Sequence, residues 1–178
     1  MPIRRQIAIA LLAAALGACA DPEQPPTASV LPDSADQVAY GFRKFITVEG
    51  VQRVELEADS AFHYPQREEW ELYVLEVQFY SVLGERRSTL TARQGTYDWR
   101  TGNMEARDSV VAVTPDGRRL TTCAITYSQD HDEITGPCAF VYDAPGEHLT
   151  GDSFIADPDF REVEGTTLAG SVREPGSG

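Results

Sequence analysis

The side chains with chemistry to offer are few and scattered. Cysteine occurs at 19, 123 and 138, histidine at 63, 131 and 148, and the densest run of potential ligands is Asp130-His131-Asp132-Glu133. No Gly-x-Ser-x-Gly elbow, Walker loop, dinucleotide fingerprint or His-Glu-x-x-His is present. Asp130 to Glu133 could ligate a cation, but the run falls in a turn between two apolar stretches, where acidic groups are usually only hydrated. Asp152, Asp157 and Asp159 could form a carboxylate site. With no histidine, base or nucleophile near them in sequence, they read as turn residues. The sequence therefore predicts no catalytic residue, no metal site and no cofactor. An exported enzyme or metal-binding module remains a rival reading, and it would need one of these two acidic segments to hold an ion.

Charge narrows the partners. The 178 residues carry 28 Asp and Glu against 15 Lys and Arg, a formal net charge of −13. That balance excludes nucleic acid, whose phosphates are bound by clustered cations, and a polybasic grip on anionic lipid headgroups. Arginine is nevertheless concentrated between residues 86 and 119, at Arg86, Arg87, Arg93, Arg100, Arg107, Arg118 and Arg119. Arg86, Arg87, Arg93 and Arg107 are candidates for an anion contact through guanidinium forks. Ordinary solvent-facing arginine on strand surfaces is the simpler alternative.

Strands must position these groups. Between residues 53 and 172 no amphipathic helical stretch of twelve residues occurs, and short β-branched and aromatic runs alternate with turn residues. The runs are Val54–Tyr64, Trp70–Leu83, Ser88–Trp99, Met104–Val113, Leu120–Tyr127, Ile134–Tyr142, Leu149–Ala156 and Thr166–Val172, about eight strands. In the second, Tyr73, Leu75, Val77 and Phe79 make one apolar face. Leu90-Thr91-Ala92, Leu120-Thr121-Thr122 and Leu149-Thr150-Gly151 recur at about 30 residues, the mark of stacked strand–turn–strand units. The chain is read as all-β and antiparallel.

The hairpin around Gln129–Asp132 fixes an expected register. If it is symmetric, Tyr127 faces Ile134, Ile125 faces Gly136, Cys123 faces Cys138 and Thr121 faces Phe140. Directly opposed residues have Cα atoms about 4.5–5.5 Å apart, within disulfide range. Cys123 and Cys138 are therefore expected to form a structural disulfide, on one face with Ile125, Tyr127, Ile134 and Phe140. A redox role would call for a Cys-x-x-Cys spacing, which is absent.

The N-terminus reads as an address. Arg4 and Arg5 precede the apolar run Ile7–Ala15, and Leu16-Gly17-Ala18 leads into Cys19. This is a secretory signal pattern, and small residues before a cysteine resemble the bacterial lipobox. The resemblance implies a lipoprotein signal peptide over 1–18, lipidation of Cys19, export to a compartment that permits disulfides, and a lipid anchor at a membrane, the inner more than the outer. Residues 19–40, with Pro22, Pro25, Pro26 and Pro32, are expected to form a flexible tether. The ordered domain is expected over 41–172, its start falling between Gln37 and Gly41, with a disordered tail at 173–178.

Taken together, several pieces resemble the LptC and OstA-like lipopolysaccharide transport family. They are Leu56-x-Ala58 leading to Tyr64, Val77-x-Phe79-Tyr80, Leu90-x-Ala92-x-x-Gly95-x-Tyr97, Asn103-Met104-Glu105-Ala106, Asp116-Gly117-x-x-Leu120-x-Thr122, Tyr127, Gly151 and Asp157-Pro158. The resemblance implies a twisted antiparallel β-jellyroll with an open groove and no enzymatic activity. It implies as partners lipopolysaccharide, the permease subunits of an inner-membrane ABC transporter, and a periplasmic β-jellyroll bridge protein of the LptA kind. Leu75, Val77, Phe79, Leu90, Val111, Val113, Ile125 and Phe140 are the expected lining of the lipid groove. The alternative is a lipid-free envelope lipoprotein that works as a scaffold or adaptor through its β edges. Family members are commonly held by an N-terminal membrane helix, whereas Cys19 would serve here.

Overall fold

Short runs of β-branched and aromatic residues, interrupted by turn chemistry, fold in the computed structural model into antiparallel strands. The structure describes residues 35–172. The expected signal peptide, Cys19, the tether up to residue 34 and the tail from residue 173 lie outside the described residues. The strands are β1 (Gln37–Val48), β2 (Val51–Tyr64), β3 (Glu69–Tyr80), β4 (Arg86–Asp98), β5 (Met104–Val113), β6 (Arg119–Ser128), β7 (Glu133–Gly136), β8 (Phe140–Ala144), β9 (Glu147–Gly151), β10 (Ser153–Ala156), β11 (Val163–Thr166) and β12 (Ala169–Val172). They form one 12-stranded sheet. β1 to β6 pair in chain order; β7, β10 and β11 then continue one part of the sheet, and β8, β9 and β12 the other.

The reason is a line of corners running across the strands. In β3, Leu72 is buried, then Leu75, Val77 and Phe79, so the inward phase slips by one residue at Val74. The same slip separates Ala58 from Ala61 in β2 and Thr122 from Ile125 in β6. In β5 the bulge of Asp108 and Ser109 interrupts the pairing with both neighbours. The ladder skips Gly41 and Asp59 between β1 and β2. Gly41, Val74, Asp108, Ser109 and Thr167 all have positive φ along this line. Bulges and bends are how strands turn from one layer of a sandwich into the other. We call this line the spine. It divides the sheet into arm 1 (42–48, 51–58, 75–80, 86–92, 110–113, 119–122, β8, β9 and β12) and arm 2 (37–40, 60–64, 69–73, 94–98, 104–107, 124–128, β7, β10 and β11).

The arms face each other across one apolar core. Phe79 of arm 1 packs on Tyr127 of arm 2 with ring centroids 4.9 Å apart, and Phe140 packs on Phe154 at 5.0 Å. Gly136 is buried opposite Phe154 in the ladder, and the Phe154 ring occupies the space a Cβ there would need.

The spine explains where the structure departs from the sequence reading. The single runs expected at Ile134–Tyr142 and Leu149–Ala156 are each two strands, because the chain crosses between arms at 137–139 and at Asp152. The run expected at Thr166–Val172 spans the last crossing, Thr167 and Leu168. β1, absent from the expected strands, begins at Gln37. As an edge strand it has only Ile46 in the buried core, so it carries little apolar alternation. Tyr127 does face Ile134, but Phe140 pairs with Thr122 and not with Thr121. The register slips by one at the crossing, and Cys123 therefore lies on the outer face, away from Ile125 and Tyr127.

Candidate functional site

Six of the eight expected groove residues meet in the interior. Leu75, Val77, Phe79, Leu90, Ile125 and Phe140 are all buried in the core cluster. Val111 and Val113 are not among them. The extra residue at Asp108 and Ser109 puts Val110 and Ala112 inward and turns the two valines to the outer face, with Val113 37% exposed. Leu56, Leu72, Met104 and Tyr127 complete the lining, and their inward phase is legible only once the corners are placed. The remaining cavity is about 10 Å³, room for roughly one water molecule. The arms are closed on each other.

A second depression, of about 560 Å³, lies outside along the spine. Its walls carry Arg43, Glu57, Asp59, Val74, Glu76 and Arg93. Arg43 pairs with Glu57 and Arg93 lies 3.9 Å from Asp108. Charges of both signs neutralise each other, and the surface offers neither a dry groove nor an anion site.

Opposite the spine, hairpin turns of the two arms meet and form what we call the rim. Arg87 at the start of β4 reaches three carboxylates of arm 2: Asp132 at 2.6 Å, Asp159 at 3.1 Å and Asp157 at 3.6 Å. Arg53 of β2 reaches the same Asp132 at 3.0 Å and donates to the Tyr80 carbonyl at 3.0 Å. Tyr127 donates its hydroxyl to the other oxygen of Asp132 at 3.1 Å. Ser88, fully buried, donates to the Pro158 carbonyl at 2.6 Å, and Tyr142 donates to that of Phe160 at 2.9 Å. The loop 157–162 is shaped by Asp157, which accepts from the backbone N–H of Arg161 and Glu162 at 2.9 and 3.1 Å.

The pairing also sets the electrostatics of the rim. Burial alone would lower the Arg87 pKa, but its hydrogen bonds to Asp132 and Asp159 prevail and leave it raised. Burial, followed by the charge of Asp132, pushes the Tyr127 phenol well above its ordinary range. The contacts are half-buried, the arginines more deeply than the carboxylates, so losing a partner costs more on the guanidinium side.

Of the four candidate anion contacts, the structure brings only Arg87 to the rim. Arg86 is exposed beside it, and Arg93 is on the spine. Arg107 lies on the outer face of arm 2, 3.4 Å from Gln94 and 4.0 Å from Glu71. Arg53, which the sequence does not mark, takes part instead, over a separation of 79 residues from Asp132. In the acidic turn, His131 is bonded to Ser128 at 2.9 Å and Asp132 is taken by the arginines. Among the described residues no group of His, Cys, Asp and Glu is arranged to hold a metal ion. Cys123 and Cys138 are disulfide-bonded, with Cα atoms 6.1 Å apart. The bond ties β6 to the crossing at 137–139, on the spine.

The sheet is not closed at its ends. Among the described residues β1 pairs only with β2, β11 only with β10 and β12 only with β9. No helix among the described residues is long and apolar enough to cross a membrane.

The comparisons agree with this architecture. The family model described as Lipopolysaccharide-assembly, LptC-related matches residues 6–163. No curated protein matches the sequence. The fold is similar to the crystal structure of LptH from Pseudomonas aeruginosa, described as the LptA-homologous periplasmic component of the lipopolysaccharide transport device. The TM-score is 0.53 at 11% identity, covering 68% of this chain and 95% of that one. At such identity the likeness is one of fold.

Proposed function

The chain belongs to the LptC-related lipopolysaccharide-assembly family, and from that premise we propose that it is a non-enzymatic periplasmic component of lipopolysaccharide export. It receives the lipid from an inner-membrane ABC transporter between its two arms and passes it to a following β-jellyroll protein. The observation that carries this reading is the interior: Leu75, Val77, Phe79, Leu90, Ile125 and Phe140 belong to one apolar layer between arms joined by backbone at the spine and by polar side chains at the rim. An acyl chain of a dozen carbons left in water costs on the order of 10 kcal/mol, at ~0.8 kcal/mol per methylene. A dry layer between two sheets removes that cost without any chemistry. Because the layer is filled in this structure, the lipid enters by parting the arms. The unpaired edges at β1 and at β11 and β12 suit strand addition, which would continue the layer into neighbouring domains. Lipidation of Cys19 would hold the chain at the membrane, the expected tether of 19–40 serving up to the start of β1 at Gln37.

The test is native mass spectrometry of the full-length chain in detergent, titrated with lipopolysaccharide. One lipid should bind per chain, and a Val77→Asp/Phe79→Asp variant that still folds should bind none. A folded parent that binds no lipid would sink the carrier reading and leave the β edges as a protein scaffold.

A further inference from the structure

Arg53 and Arg87 stand on long paired strands of arm 1, whereas their partners stand on a turn (Asp132) and a loop (Asp157 and Asp159) of arm 2. Turns and loops are the first parts of a fold to move. When the arms part, the guanidiniums stay with the strands and the carboxylates leave. While the arms are closed the Arg87 and Arg53 side chains are only 13% and 18% exposed, and parting the rim strips both guanidiniums of their charge-assisted bonds to Asp132, Asp157 and Asp159. A replacement anion at the same place restores those bonds and so favours opening. That place adjoins the apolar layer, because Tyr127 packs its ring on Phe79 and donates its hydroxyl to Asp132. A molecule with acyl chains joined to an anionic head satisfies both requirements at once.

We propose that Arg53 and Arg87 form the binding site for a headgroup phosphate of the carried lipid, a site that Asp132, Asp157 and Asp159 fill from within the chain while no lipid is bound. The proposal rests on the carrier reading and deepens it, since it makes opening conditional on the charge of the cargo. Guanidinium forks match phosphate oxygens as they match carboxylates, so the exchange needs no new geometry. The surroundings favour this order of events. A recess of about 340 Å³ on the arm 2 side is lined by Asp132, Glu133, Asp157, Glu162 and Glu164 and repels phosphate. The headgroup reaches the arginines only after the rim has parted.

The experiment titrates the full-length chain in detergent with lipopolysaccharide and with the same lipid stripped of its phosphates, and separately with inorganic phosphate. The parent should bind the phosphorylated lipid about tenfold more tightly than the stripped one, a typical margin for a charge-assisted pair. Asp132→Asn, nearly isosteric, should tighten binding of the phosphorylated lipid by roughly the same factor. Arg53→Gln/Arg87→Gln should bind both lipids alike. If circular dichroism shows that this double variant does not fold, Arg53→Gln alone is used, with a preference for the phosphorylated lipid reduced at least about threefold. A parent that binds both lipids equally overturns the phosphate site and leaves the carrier reading intact. Arginine variants that keep the full preference place the phosphate elsewhere and likewise overturn it. Inorganic phosphate that raises the Tm of the parent but not of the arginine variant, with no preference between lipids, assigns the pair to free phosphate and overturns the headgroup source. A folded parent that binds neither lipid overturns both readings.

Discussion

The two long sides of the folded sheet are joined by different means. Along the spine the backbone itself passes from arm 1 to arm 2 in every long strand, and the Cys123–Cys138 bond ties β6 to the next crossing. Along the rim no backbone of the described residues crosses. The arms meet there through Arg53, Arg87, Ser88 and Tyr142 against one turn and one loop. A covalently continuous side and a side held by a few charged and polar contacts make a hinge and a mouth. Exposed amides and ion pairs on turns have low local opening free energies, whereas interior ladders open only near the global limit. On the proposed carrier reading, the difference gives the direction of motion: cargo enters at the rim, and the spine stays shut.

The largest effect that separates the two sides is at the spine. The disulfide closes a loop of 15 residues, for which chain entropy gives ~3 kcal/mol. Cys123→Ser/Cys138→Ser is expected to lose about that much in denaturant unfolding and roughly 10 °C in Tm, with the rim contacts unchanged. A loss below about 1 kcal/mol would mean that the crossing at 137–139 is held by its strands alone, and the staple would have no part in keeping the spine shut.

A smaller and more local effect is expected at the rim. Ser88→Ala removes the hydrogen bond to the Pro158 carbonyl. A buried carbonyl left unmatched costs about 1–3 kcal/mol; here the loop can lift and regain water, so ~1 kcal/mol is expected. Hydrogen exchange should localise the loss. Amides of residues 159–162 should exchange about fivefold faster, while those of residues 120–125 follow only the global change. Uniform acceleration across both groups would show that rim and spine open together, and the hinge-and-mouth picture would fail.

The two sides also differ in how far the sequence exposes them. The all-β class, the hairpin at Gln129–Asp132 and most of the buried apolar residues follow from alternation and turn chemistry, which are local; Cys123 and Cys138 do meet, but across the crossing and not in the symmetric register expected. The corners are not local signals. At Val74 the apolar alternation continues through Leu75, Val77 and Phe79 with no glycine or proline to mark the break. The crossings that split two expected strands do carry Gly136-Pro137 and Gly151, but in sequence these residues do not distinguish a change of layer from an interruption within one strand. The slip at Asp108 and Ser109 sent Val111 and Val113 to the wrong face by a single residue. The rim was least legible. Arg53 meets Asp132 across 79 residues, and nothing in a run of β-strand residues distinguishes that arginine from one facing water. Arg87 was found through arginine density, but Arg93 and Arg107, drawn from the same cluster, lie on other surfaces.

The smallest expected effect tests the corner itself. Val74 has φ of 52° and is 59% exposed, so a β-branched residue holds a left-handed conformation with little packing in return. That conformation costs about 1–2 kcal/mol for a non-glycine residue, while glycine gives back about 0.5–1 kcal/mol through the freedom of the unfolded chain. Val74→Gly is therefore expected to stabilise the protein slightly, by roughly 0.5 kcal/mol, read as a shift in urea midpoint at constant slope. Because the corner keeps its geometry, lipid binding should be unchanged. A variant that gains stability and binds lipid as the parent does would show that the spine sets a shape and takes no part in opening. A variant that loses stability, or binds lipid differently, would mean that strain at Val74 is coupled to the parting of the arms, and the motion would then have to be sought on both sides of the sheet.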